Sequence, residues 1–387
     1  MATTESPTIA IIGAGLSGLC LALALHQQSI PCTVYESRPE PLNIGGAVML
    51  SPNALRILDA LGVYSTIKAQ GYNFDNLHFR DASNNLIETY EFGSQTKYGY
   101  PALRIYRHIL ITALLSALHK HQIPIKYRHK FSHIITETLT TVTFAFTSPP
   151  TTTTATLLIG ADGIHSSVRK YLYPDLTPHF TGMAGITAAV PNGDEVLIGK
   201  QKRLTSDPGR DGLDALMADT DSHIAFLREN SSVFPEVVQN AVLDIPADKV
   251  NVWVFYVVPR LERWASEERR VVILGDAAHA IPPSAGQGVN QAFEDGYLLA
   301  LLLGEGKGGR VDWGAALGFW QEWRQERVGK VLELNEQIDL RRLPVRDDEV
   351  SVKEEKFDLG WLYEPDFRGE VEAWVRGNVK EDASVDK

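Results

Sequence analysis

Apolar and polar positions along the chain fall into short blocks of different period. Thr8 to Ile12 is an apolar run of strand length, Leu16 to Gln28 is apolar over helical length, and Cys32 to Glu36 is a second short run. A strand, a helix and a strand in that order predict the opening of a βαβ unit. A helix is expected from Pro52 to Ala60 with Gly62 as its stop, and short strands across 72–92. Ile109 to His119 carries apolar residues at Ile109, Leu110, Ala113, Leu114, Ala117 and Leu118, the spacing of one helix face. The runs "TTVTFAF" and "ATLLIGADG" flank "TSPPTTTT", which predicts a hairpin whose threonine-rich tip is a solvated loop.

From about Thr177 to Pro259 the pattern is β-rich but weaker. "AGITAAVP", "EVLIGKQ" and "VNVWVFYVVP" read as strands, and Ser222 to Asn240 as a helix with loops. Val271 to Leu274 is another buried strand, and from Gly288 to about Leu340 the chain is helical. The end, "GNVKEDASVDK", is polar and expected to fray. No internal repeat is visible. These blocks predict an α/β fold. A Rossmann-like first domain would run over 1–176 and return over 260–340, with a β-sheet-containing domain inserted at 177–259 and a C-terminal segment over 341–387.

Size and composition are compatible with that outline. The 387 residues are 44% hydrophobic and 22% charged, enough apolar surface for a substantial core. A net charge of −11 gives no global attraction to nucleic acid or an anionic membrane. No apolar run approaches the ~18 residues that span a bilayer, and no charged leader precedes the first strand. A cytoplasmic protein is therefore expected. The two cysteines, Cys20 and Cys32, are too few for a disulfide framework and read as small buried hydrophobes. No His/Cys/Asp cluster has metal-ligand spacing.

The chemistry begins at "TIAIIGAGLSGLCLALAL", where Gly13, Gly15 and Gly18 form G-x-G-x-x-G between a strand and a helix. "GEGKGG" at 304–309 fits the same spacing but follows a helix, and is discarded as a loop. In the first match Gly13 would permit the tight turn, Gly15 the approach of a pyrophosphate, and Gly18 close packing of helix on strand. The helix start at Leu16 and Ser17 would offer free N–H groups and a positive dipole end to phosphates. Glu36 lies 18 residues past Gly18, near where an acid hydrogen-bonds a ribose hydroxyl. Such a fingerprint suits NAD, NADP and FAD alike.

Two further motifs choose among them. "GADGIHSSVRK" contains Asp162, Gly163, Ser166, Val168 and Arg169, and "GDAAHAIPPSAGQGVNQAFED" begins with Gly275 and Asp276. With the fingerprint, these resemble the three ordered motifs of the class A FAD-dependent monooxygenases. That aromatic hydroxylase family includes salicylate and para-hydroxybenzoate hydroxylases. The nearest in kind are tetracycline-inactivating and fungal secondary-metabolism enzymes. The resemblance covers roughly 1–170 and 255–340, with weaker matches at "GGAVMLSPNALRILDALG" and "LRIYRHILITALLSAL".

By this resemblance FAD is the cofactor, NAD(P)H and O2 are co-substrates, and the substrate is a small aromatic or polycyclic molecule. Hydride reduction of the flavin, a C4a-hydroperoxide and oxygen transfer to an electron-rich carbon would follow. Asp276 would bond the ribityl chain, and the backbone from Gly286 through Gly288 to Val289 would approach the flavin ring. Arg107 matches the family arginine that contacts FAD, although Tyr106 stands where a histidine is common. Gly46 and Ala47 would lie at the flavin edge, and Arg38 at the adenosine end. Asp162 has two open readings, a cofactor contact or a turn-forming residue before Gly163. His279 is expected to pack and hydrogen-bond beside its motif rather than act as a base. His78, Tyr100 and His223 are available bases without a motif to select one.

One departure is in the middle. Asp162 and Asp276 are 114 positions apart, and the segment after "GITAAVP" is shorter than the family's substrate domain. A missing strand would mean an open pocket, an uncoupled NAD(P)H oxidase or an inactive remnant. An oxidase, a dehydrogenase and a non-catalytic flavin-binding relative stay open beside the monooxygenase.

Overall fold

The computed structural model describes residues 9–41, 46–81, 83–192, 194–306, 311–342 and 357–379. At its centre is a five-stranded parallel sheet, in the spatial order Val271–Ile273, Leu157–Gly160, Ile9–Ile12, Cys32–Tyr35 and Ile125–Lys126. Ile9 sits opposite both Leu157 and Cys32, and Leu158 opposite Val271. Ile9–Ile12, Leu157–Gly160 and Val271–Ile273 are buried at every position. Covered on both faces, such strands read as unbroken apolar runs rather than as alternation. The Leu16–Gln27 helix follows the first strand and packs on the Gly288–Glu305 helix, so tightly that a Cβ on Gly296 would lie 3.2 Å from Leu21 Cβ. The mixed α/β architecture with a parallel sheet and C-terminal helices is the one the sequence predicts.

The hairpin expected around the threonine run takes a different form. Val142–Ser148 does enter a hairpin, but its partner is Pro150–Ala155, the threonine stretch itself. Thr153 lies opposite Phe144 and Thr151 opposite Phe146. β-Branched threonines pack well on such a half-exposed edge strand, whatever their low complexity suggests. Leu157–Gly160, assigned above to the second arm, instead joins the parallel sheet.

Between 177 and 259, three antiparallel strands form a separate sheet, with His179–Asn192 flanked by Asp194–Arg203 and Val250–Val257. Ile186, Ala188 and Val190 point to one face and pack with Leu227, Ala241, Val242 and Ile245 in a small second core. The helices Gly209–Ala218, Thr220–Arg228 and Glu236–Ala241 lie in this region. A third sheet joins Ala47–Leu50, Ala102–Tyr106 and Tyr72–Phe74, beside the Asn76–Arg80/Leu86–Glu91 hairpin. Trp313–Arg342 is a long helix, and Gly360–Tyr363 and Phe367–Asn378 add two helices that the sequence reading left as an unassigned tail. Residues 307–309 of the discarded glycine loop and 380–387 of the polar end lie outside the described residues.

Candidate functional site

All three motifs sit at carboxyl ends of adjacent parallel strands, the edge at which open α/β sheets bind ligands. Gly13 has φ +109°, and a Cβ there would lie 2.4 Å from Ala161 O. A Cβ on Gly18 would lie 2.0 Å from Gly13 O. Both glycines are therefore demanded by backbone packing. Gly15 differs: it is exposed, caps the Leu16–Gln27 helix with no side-chain partner, and a Cβ on it would meet nothing within 4 Å. Space thus opens at the one position where the helix presents its unpaired N–H groups.

Glu36 is buried beside this turn. It accepts from Ala14 N–H at 3.0 Å, Arg38 N–H at 2.9 Å and Ser37 Oγ at 3.1 Å. A carboxylate has about four lone-pair sites, so one remains for a hydroxyl. Arg38 itself is exposed, and its carbonyl accepts Arg128 N–H.

The Gly275–Ala277 turn lies against the fingerprint, with Ser17 Cβ 3.5 Å from where a Gly275 Cβ would sit. Asp276 keeps an open face to solvent, while protein crowding on its other sides raises its carboxyl above the usual range. His279, Arg107 and Arg169 pull in the opposite direction. Arg107 starts the Arg107–Lys120 helix, its N–H bonded to Gly46 O at 3.0 Å, and Ala47 pairs with Tyr106. Burial lowers the guanidinium's pKa, and Asp276 is the charge that offsets this. Neither Asp276 nor the Arg107 guanidinium has a hydrogen-bond partner among the described residues. The fold thus brings two opposite charges, 169 positions apart in sequence, within electrostatic reach of each other.

Asp162 is used differently. Its carboxylate accepts from Ser166 Oγ at 2.6 Å, Ser167 N–H at 2.7 Å and Val168 N–H at 3.2 Å, closing its own loop. Arg169 then ties this loop to the next motif, donating to Ile164 O at 2.6 Å and Ala277 O at 2.9 Å. Gly286 has φ +63° and packs under Phe92 and Met49. Gly288 has open space where a Cβ would stand, and Val289 is half-buried. The candidate bases are engaged elsewhere: His78 with Thr89 on the outer hairpin, Tyr100 with Asp59, and buried His223 with Leu216 O.

The sequence reading missed a buried polar set beneath this edge. Asn290 accepts Ser51 N–H at 3.0 Å and donates to Met49 O and Gly286 O, pinning the helix start to the small sheet. Glu294 takes Asn53 Nδ2, Arg327 Nε at 2.7 Å and an Arg324 nitrogen, and the two arginines hold its pKa below the usual range despite burial. Asp295 meets Arg324, His279 and Gly275. A signal existed, since "FEDGYLLALLL" sets two acids into an otherwise apolar helix.

An elongated anionic cofactor fits this set: an open helix start for phosphates, a carboxylate with spare capacity for a ribose, and the Arg107 and Asp276 side chains, which have no hydrogen-bond partner among the described residues. Comparison with known proteins agrees. The family model described as "FAD binding domain" matches residues 6–207 and 217–333. The 3-amino-4-hydroxybenzoate 2-monooxygenase PtnB3 of Streptomyces platensis is 31% identical, over 93% of this chain and 96% of its own. The hispidin-3-hydroxylase of Neonothopanus nambi is 30% identical, over 79% and 82%. Among solved structures, CtdE in complex with FAD and a substrate superposes with a TM-score of 0.77 at 19% identity, covering 96% of this chain and 98% of that one. The chain belongs to the FAD binding domain family and is a class A FAD-dependent monooxygenase.

Proposed function

We propose that the chain hydroxylates a small aromatic substrate at the expense of NAD(P)H and O2. The observation that carries this reading is that Arg107 and Asp276 stand within electrostatic reach of each other, neither side chain with a hydrogen-bond partner among the described residues, while Gly15 leaves a helix start open at the same strand edge. Relatives named for hydroxylating 3-amino-4-hydroxybenzoate and hispidin support an aromatic substrate. The backbone N–H groups of Leu16, Ser17 and Gly18 would face the pyrophosphate, and Glu36 a ribose hydroxyl. Asp276 and Arg107 would orient the ribityl and ring portions between Gly46–Ala47 and Gly286–Val289. Asp162 would act by shaping its loop, and Arg38 would reach only the solvent-facing adenosine end. When bound, the flavin supplies the redox chemistry, accepting hydride from NAD(P)H and activating O2. The chain's own residues bind and orient it and limit water at the site.

Residues 177–259 would form the substrate domain, inserted into an FAD domain built from both ends of the chain. The face of its three-stranded sheet opposite the small core carries Trp253, 58% exposed, and Phe255, their ring centroids 5.5 Å apart. The test is the visible spectrum of the protein reconstituted with FAD, before and after NADPH under nitrogen, followed by air and candidate phenols. Bleaching, then aromatic-dependent NADPH consumption with hydroxylated product, is expected. A flavin that stays oxidised with every phenol tried, or one that reoxidises to peroxide alone, would overturn the proposal.

A further inference from the structure

Beneath the cofactor-facing residues lies a buried set of charges with no direct place in the chemistry. Asp295, fully buried in the Gly288–Glu305 helix, accepts two bonds at Oδ2, from Gly275 N–H at 2.8 Å and from His279 Nε2 at 2.6 Å. Its Oδ1 takes Arg324 Nε at 2.7 Å, and Trp320 Nε1 donates to its carbonyl at 3.0 Å. His279 is 7% exposed, lies against Trp264 with centroids 5.0 Å apart, and leaves Nδ1 without a partner among the described residues. Because a carboxylate only accepts, Nε2 carries a proton and donates it to Asp295. Burial alone would raise the Asp295 carboxyl, but His279 and Arg324 hold it at about 2, so it is ionised.

The arrangement fastens both ends of one short turn to a single carboxylate. Gly275 and His279 bracket Asp276, and the turn closes on itself through Ala278 N–H and His279 N–H, both donating to Gly275 O at 2.8 Å. The carboxylate that grips it stands on the helix whose first residues, Gly288 and Val289, belong to the proposed flavin edge. Stability alone does not account for such a set, since buried ion pairs are often replaceable by apolar packing at little cost. What apolar packing would not supply is a fixed distance between the Asp276 turn and the helix start.

We propose that His279 is a positioning residue for FAD: held by Asp295, itself braced by Arg324, it presets the Gly275–Ala277 turn so that Asp276 meets the cofactor in one place. This rests on the site proposed above. The experiment compares His279→Leu with His279→Gln, whose amide reaches the place of Nε2 and can still donate to Asp295. Apoproteins are checked for folding by circular dichroism and titrated with FAD, and the visible spectrum of the bound flavin is recorded.

Losing a hydrogen bond to a charged group predicts FAD binding weakened by ~10- to 100-fold in His279→Leu. His279→Gln should return to within a few-fold of the parent, with the parent's flavin spectrum. A histidine that merely fills space would change the unfolding midpoint and leave FAD affinity alone. Parent-like binding by His279→Leu overturns the proposal, and so does a Gln variant as weak as Leu. If the Leu variant does not fold, His279→Asn, too short to reach Asp295, takes its place under the same criteria. Failure of the parent protein to bind FAD would instead sink the site itself.

Discussion

Gly15 and Gly18 are three residues apart in one motif, yet alanine at each should damage different properties. In Gly18→Ala the new Cβ falls 2.0 Å from Gly13 O and 3.2 Å from Gly13 C, where ordinary contact begins near 3.4 Å. Both atoms are backbone, so no rotamer change relieves the overlap. Overpacking of this kind costs ~1–3 kcal/mol, and helix propensity returns at most ~1 kcal/mol for alanine over glycine. A net loss of ~2 kcal/mol should lower the urea midpoint of the apoprotein, read through its seven tryptophans. In Gly15→Ala the Cβ meets nothing, and φ −78°, ψ 180° suits any residue. Only the poorer cap is lost, ~1 kcal/mol or less. The methyl group would instead stand where a pyrophosphate approaches the helix start. A clash of ~1.5–3 kcal/mol in the complex corresponds to FAD binding weakened by ~10- to 100-fold. The assay pairs apoprotein unfolding with FAD titration for both variants. If Gly15→Ala binds FAD like the parent, the fingerprint serves packing alone and the reasoning fails. An unchanged midpoint in Gly18→Ala would equally refute the reading of the turn.

Three further outcomes are expected. Arg107→Met should leave the apoprotein within ~1 kcal/mol of the parent, because a buried cation without hydrogen bonds contributes little net stability. With folding of the variant checked by its urea midpoint, FAD binding should weaken ~10-fold or more by titration, and a parent-like affinity would exclude Arg107 from the site. Cys20 and Cys32 should resist a thiol reagent in the native protein and both react in urea, since burial raises both thiols, Cys32 to about 12. Rapid native labelling would contradict their burial. Asp295, held at about 2 against an ordinary 3.8, contributes stability that is present above the unfolded value and lost as pH falls through the folded one. Between pH 4.5 and 2.5, the unfolding free energy of the parent should fall by ~1.5 kcal/mol more than that of Asp295→Asn, read by urea titration at each pH, and parallel losses would refute the assignment.

Elements that bury one whole run or one clean face were legible in the sequence. The strands at Ile9–Ile12 and Val271–Ile273 and the helix at Pro52–Ala60 fall where the apolar pattern places them. Composition misled at Pro150–Ala155, where the threonine bias suggested a loop while the pairing with Phe144 and Phe146 decides for a strand. The terminal helix was legible but passed over. Phe367, Val371, Trp374 and Val375 fall at the spacing of one helix face, and Phe319 on Trp374 at 5.2 Å and Trp323 on Phe367 at 5.9 Å are the contacts that face makes. In the proposed site, glycine spacing and strand-end acids located Gly13–Gly18, Glu36 and Asp276 at one sheet edge, because their positions depend on backbone shape. The Asp295–Arg324 pair joins two helices 29 positions apart, and only the packing of those helices brings it together.

The carboxylate of Asp276 lies so far along the chain from the glycine turn because the sheet is laid down out of sequence order. The last parallel strand, Val271–Ile273, pairs with Leu157–Gly160, which pairs with the first, Ile9–Ile12. The loops that follow these three strands become neighbours only when the chain's two ends have met. Arg169 bonds carbonyls of both the Asp162 and Asp276 loops, and a Gly13 Cβ would collide with Ala161, so neither loop can shift without disturbing the next. A ligand that touches all three is bound by the closed sheet and not by the separated pieces, and it therefore stabilises closure by ~2.7 kcal/mol when present at a hundred times its Kd. Were FAD held at these strand ends as proposed, folding of the parallel sheet and capture of the cofactor would be one equilibrium, and a weakness at any of the three ends should be felt at the other two.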